Sequence, residues 1–137
     1  MMSTAQSDAL DHEELVLAAL PGPDVVIQLL SEHDRRRANP AAGLCWWFQS
    51  SESADGPTLL VGVRGEVGAL EWFDGAEAAA PVAGTNATRV DYFTRWGHHN
   101  DLPPGVELPI ERIYAALSEF MTTEQRPACV VWGPLSA

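Results

Sequence analysis

The spacing of apolar and polar positions along the chain predicts most of its elements. The strongest helical signal lies at 109–122, where Ile110, Ile113, Tyr114, Leu117, Phe120 and Met121 recur at three- and four-residue intervals on one stripe. Pro109 suits the first helical position, where no N–H partner is needed. A shorter helix is expected from Asp11: Asp11 and Glu14 form a capping-box pattern, Leu10 and Leu15 stand at the staple positions, and the run stops before Pro21-Gly22-Pro23. Residues 24–30, DVVIQLL, are short, apolar and β-branched, which predicts a strand. Residues 31–43 are polar and end in Pro40 and Gly43, as a loop or one solvated helical turn would.

Strands are predicted at 44–49 (LCWWFQ), 58–64 (TLLVGVR) and 68–73 (GALEWF), the last two joined through Gly65-Glu66 into a hairpin. Residues 74–88 are small, with Pro81 and Gly84, and read as a flexible connection. Alternation returns at 89–96, and 128–132 (ACVVW) reads as a closing strand. Residues 1–7 are polar and expected to fray. This order predicts one α+β domain over 1–137, with a mostly antiparallel sheet of about five to six strands packed with two helices.

Composition narrows the function. Nearly half of the 137 residues are apolar and five are tryptophan, so a real core is expected. Nineteen acids face eight basic residues, all arginine, for a net charge of −11. That balance disfavours nucleic acid and anionic membranes as direct partners and favours a basic one. The apolar run Leu15 to Leu20 is far too short to span a bilayer, and the start lacks the basic and apolar regions of a secretory signal. A cytoplasmic protein is expected. Cys45 and Cys129 sit in apolar runs and are expected as buried free thiols. The tripeptide Arg35-Arg36-Arg37, beside Glu32 and Asp34, reads as a solvated segment. Gly62, Gly65 and Gly68 lack the spacing, lysine and following helix of a phosphate loop.

Chemistry has one conspicuous place to hide, RWGHHNDLPPG at 95–105. His98, His99 and Asp101 invite a metal reading. Neighbours on a strand point to opposite faces, however, and a zinc site needs three or four converging ligands. No G-x-S-x-G turn is present, and the cysteines are expected to be buried. Glu71 and Asp74 fit a solvated strand edge. No catalytic residue, metal or cofactor is therefore expected, and the chain reads as a non-enzyme. Trp46 and Trp47 point to opposite sides of one strand, so the outward one, with an outward member of Trp72/Phe73, would form an exposed aromatic patch of the kind that marks interfaces.

Residues 92–132, YFTRWGHHNDLPPGVELPIERIYAALSEFMTTEQRPACVVW, carry a resemblance. An aromatic strand leads to Gly97 and the histidines, then LPP and ELP, an amphipathic helix ending in Phe120, Arg126-Pro127, and a strand ending in Trp132. With the upstream hairpin GVRGEVGALEW, this order resembles family one of the immunity proteins of bacterial polymorphic toxin systems, over roughly 58–132. The resemblance implies an α+β fold. It also implies binding and blockade of a cognate toxin, typically a nucleic-acid deaminase, without catalytic residues. By the same analogy Gly97, Pro103, Pro104 and Pro109 shape a link between strand and helix, where the histidines bond backbone groups and serve folding.

The acids then acquire a candidate role. Residues 51–88 carry Glu52, Asp55, Glu66, Glu71, Asp74 and Glu77 against Arg64 alone. A toxin that handles nucleic acid must present a basic groove to phosphate. Glu66, Glu71, Asp74 and Glu77, with Asp101, are therefore candidate toxin-facing residues. Solubility alone is the competing explanation of these acids, and a small non-catalytic interaction subunit without a toxin is the alternative function.

Overall fold

The computed structural model describes residues 8–51 and 56–135. The fraying start at 1–7 and the acids Glu52 and Asp55 lie outside them. Nine strands form among the described residues: β1 (Glu14–Val16), β2 (Gly43–Gln49), β3 (Thr58–Arg64), β4 (Val67–Asp74), β5 (Glu77–Pro81), β6 (Val90–Phe93), β7 (His99–Leu102), β8 (Glu107–Pro109) and β9 (Trp132–Pro134). Two α-helices, α1 (Pro23–Arg35) and α2 (Ile110–Thr123), complete an α+β fold with more strands than the pattern predicts.

The sheet runs β7-β6-β2-β3-β4-β5-β9. Its centre is the antiparallel meander β2-β3-β4. Outside the meander, two edges are shared. β2 pairs in parallel with β6 at Gly43 and Leu44, and with β1 at Trp47, Phe48 and Gln49. β4 pairs with β8 at Val67–Ala69 and with β5 at Trp72–Asp74.

Alternation sends Trp46, Phe48, Leu59, Val61, Val63, Leu70 and Trp72 to the face covered by the helices, where they meet Val26, Leu29, Leu30, Ile113, Leu117 and Phe120. Phe120 stands edge-on to Trp72, with ring centroids 5.5 Å apart. The opposite face is also covered. Cys45, Leu60, Ala69, Tyr92, Leu102 and Val106 form a second cluster there.

Several elements differ from expectation, each for a physical reason. Residues 24–30 are helical. Val26, Leu29 and Leu30 stand at i, i+3 and i+4, Pro23 opens the helix and Asp24 sits in its first turn, so the polar 31–35 continues it. The Asp11 segment is not an α-helix. Leu15 is buried in β1, beside β2, and Trp47 N–H donates to Glu13 O at 2.8 Å, so ladder bonds replace the cap. The connection 74–88 contains β5, where Ala79 and Ala80 are buried and Ala79 faces Trp72. The closing strand starts later than 128. Ala128 and Cys129 give their N–H groups to the Glu119 carboxylate, at 2.6 and 3.1 Å, instead of to a ladder. Cys45 is buried as expected, but Cys129 is exposed.

Candidate interaction surface

The five acids singled out from sequence do not meet. Glu66 lies exposed in the β3–β4 turn. Asp74 and Glu77 are exposed and face each other across the β4–β5 turn, roughly 25 Å away at the rise of a strand. Glu77 accepts a bond from Arg126 at 2.6 Å. Asp101 lies on β7 at the far side of the sheet and is paired with Arg89 at 2.9 Å. Glu71 is not at a solvated edge at all: it is only 6 % exposed. It shares the face of Ala69 and Phe73 as alternation requires, but that face is itself covered. Burial raises its carboxyl to about 7, against a smaller opposing pull from Arg89.

The expected aromatic patch also moves. Trp46 and Trp72 are fully within the core and Trp47 is half-buried. Both faces of the sheet are covered, so alternation does not bring either member of a pair to water.

Under the second face a polar relay holds the fold. Tyr92 lies across Gly43 and Gly62, where any Cβ would run into its ring. Its hydroxyl reaches the buried Glu107 at 2.7 Å. Arg64 grips the same carboxylate with two bonds, at 2.8 and 2.7 Å. Such a bidentate pair is directional and strong, and it keeps the buried carboxylate satisfied. Asn86 Oδ1 accepts the backbone N–H groups of Gly105, Val106 and Glu107 at 2.9–3.0 Å, which fixes the loop before β8.

The histidine segment is a hairpin tip, with β7 and β8 intervening before α2. β6 and β7 pair from Val90↔Leu102 to Phe93↔His99. At the tip Thr94 N–H donates to His98 O, and Gly97, at φ 88°, donates to Thr94 O, both at 2.9 Å. Gly97 takes the left-handed backbone that other residues resist. The histidines do not bond backbone groups through their rings. His98 Nδ1 lies 2.5 Å from Glu13 Oε2, and His99 Nε2 lies 2.8 Å from Asp91 Oδ1. The His98 ring is largely in water and the His99 ring is half-exposed and stacked on Phe93, so neither makes the buried backbone hydrogen bond expected of it.

This tip docks on the segment before β1. Thr94 Oγ1 donates to Glu13 Oε2 at 2.8 Å, and Arg95 Nε to Asp11 Oδ1 at 2.8 Å. Trp96 Nε1 donates to Asp11 O at 2.6 Å. Arg95 Nη1 also approaches His33 Nδ1, at 3.5 Å. Burial, then Arg95 and Arg36, hold His33 below the usual imidazole range. Trp96 remains 64 % exposed. Beside it His12, Glu13 and Glu14 line a depression of about 480 Å³. In the sequence the only signal for Trp96 is its place immediately before the turn glycine Gly97, where a strand can no longer bury it.

Among the described residues no three His, Cys, Asp or Glu side chains are placed to hold a metal ion, and no helix is long and apolar enough to cross a membrane. The fold is thus of the α+β class, with Trp96 left exposed at its surface. The family described as Immunity protein Imm1 matches residues 18–134, and the chain belongs to it. The match runs from α1 through β9 and so extends upstream of the region that carried the resemblance, to residue 18. No curated protein matches the chain. Membership points to immunity against a toxin, hence to a cognate toxin as partner and a non-catalytic role.

Proposed function

We propose that the protein binds a cognate secreted toxin in the cytoplasm, and that the toxin is a nucleic-acid deaminase neutralised by covering its active or substrate-binding site. The observation that carries this reading is the family match over 18–134 in a chain of net charge −11. An enzyme acting on nucleic acid gathers positive charge around its substrate, and an acidic protein is drawn to that charge from a distance. Glu66, Asp74, Glu77 and Asp101 are exposed but scattered, so they act through the overall field and not as one patch. Glu71 is buried and so faces no partner protein.

The test is co-expression. The toxin domain encoded beside this chain's gene should arrest growth when expressed alone and not when this protein accompanies it. Purified, it should deaminate nucleic acid, and one equivalent of this protein should abolish that activity. Rescue without deamination would replace the toxin's class. Absence of both rescue and complex would sink the reading.

A further inference from the structure

We infer that Trp96 and the adjoining depression of His12, Glu13 and Glu14 form the contact that receives a cationic side chain, Arg or Lys, from the toxin's basic surface. This rests on the function proposed above and names the place where it is exercised. Among the described residues Trp96 is the one tryptophan left largely in water, at 64 % exposure. An exposed indole is ordinarily free to change rotamer. This one is held at its polar end by the 2.6 Å bond to Asp11 O, and its backbone lies in a turn closed by Thr94, Gly97 and His98. A large aromatic that is already ordered loses little freedom on binding, and such residues dominate interface energetics.

The surroundings specify the guest. The depression beside the ring carries Glu13 and Glu14. Glu13 is engaged by Thr94 and His98, so it is fixed in place. Glu14 is exposed on β1 and has no ion-pair partner among the described residues. Arg95 lies 5.8 Å from the indole centroid and is already bound to Asp11. A second cation entering from solvent would meet the indole ring and the Glu14 carboxylate, which line the same depression. Cation–π attraction and an ion pair then act together on one guest. An anionic guest would meet two carboxylates instead.

The experiment uses the full chain and the purified, catalytically disabled toxin domain from the neighbouring gene, with affinity read by calorimetry. Wild-type binding reports on the proposed function; the variants report on this inference. Trp96→Ala should weaken binding about 30-fold or more, the loss expected of an interface hot spot. Trp96→Phe should recover part of it. Glu14→Lys, which leaves the indole and its anchor untouched, should weaken binding at least about tenfold. Glu124→Lys, an equal charge change at the C-terminal end of α2, should stay within about threefold, as rim charges do. Thermal melts of each variant establish folding. Binding by Trp96→Ala within threefold of wild type overturns the inference while the function stands. So do equal losses for Glu14→Lys and Glu124→Lys, which would reduce the effect to net charge. A wild type that does not bind overturns both.

Discussion

At the scale of single residues, burial converts ordinary groups into sensitive ones. Glu71 has its carboxyl raised from 4.5 to about 7, chiefly by burial. A raised carboxyl means that the folded state binds the proton more tightly than the unfolded chain. Its contribution is therefore complete below pH 4.5 and is lost as pH rises through 7, by up to about 3 kcal/mol. Glu71→Gln removes the titration and keeps the shape. In urea unfolding the variant should match wild type near pH 4.5 and exceed it at pH 8; parallel pH profiles would show that Glu71 is solvated after all. The two thiols should separate just as clearly. Burial, followed by Glu71 and Glu13, pushes Cys45 up to about 12, and no thiolate forms there at neutral pH. Cys129 is exposed. A disulfide reagent should titrate one thiol in the native protein and two in denaturant, with Cys129→Ser abolishing the native reaction.

At the scale of elements, joints between distant segments carry much of the order. Asp34, near the end of α1, accepts Arg37 Nε at 2.6 Å and the Gly65 N–H at 3.0 and 3.1 Å. It thereby ties the helix end to the β3–β4 turn. Arg37 closes the following loop onto Ala42 O at 2.7 Å, so the arginine run is not uniformly solvated. Asp34→Ala should lower unfolding free energy by about 1–3 kcal/mol, because charge-assisted bonds and a turn N–H lose their partner together. A double cycle with Arg37→Ala should show coupling; strict additivity would mean that the two act independently. Such joints explain what the sequence revealed and what it withheld. The β3–β4 hairpin and α2 were legible because their signals are local: a glycine turn between alternating runs, and a six-residue apolar stripe. α1 was hidden because DVVIQLL is compatible with either period until its polar continuation is included. β1 was hidden because Asp11 and Glu14 spell a helix start, and only β2, some thirty residues on, offers the ladder that outcompetes it. Of the candidate site, the acids were legible as exposed charge at Glu66, Asp74, Glu77 and Asp101, but not at Glu71, whose cover comes from segments distant in sequence. Trp96 emerged only from the docking of one turn on another.

At the scale of the whole molecule, charge and topology set how the protein meets its partner and how it is made. With a net charge of −11, association with the basic toxin proposed above should be steered. Stopped-flow on-rates should fall by about tenfold or more between low and physiological salt, because exposed charges are screened over about 8–10 Å. Salt-independent rates would restrict recognition to short-range contact. The shared outer edges of the meander bear on the life of the chain before it is complete. β2, β3 and β4 are close in sequence and can pair as soon as residue 74 is free. The outer edge of β2 at Gly43 and Leu44 must wait for Tyr92 and Phe93, and that of β4 at Val67 to Ala69 must wait for Glu107 to Pro109. A ribosome delivering about 5–20 residues each second leaves those apolar edges uncovered for seconds. An unpaired strand edge is a template for other chains. The nascent chain is thus most vulnerable to aggregation in the interval between making its centre and making its borders, and slowing synthesis across 75–92 should raise the insoluble fraction.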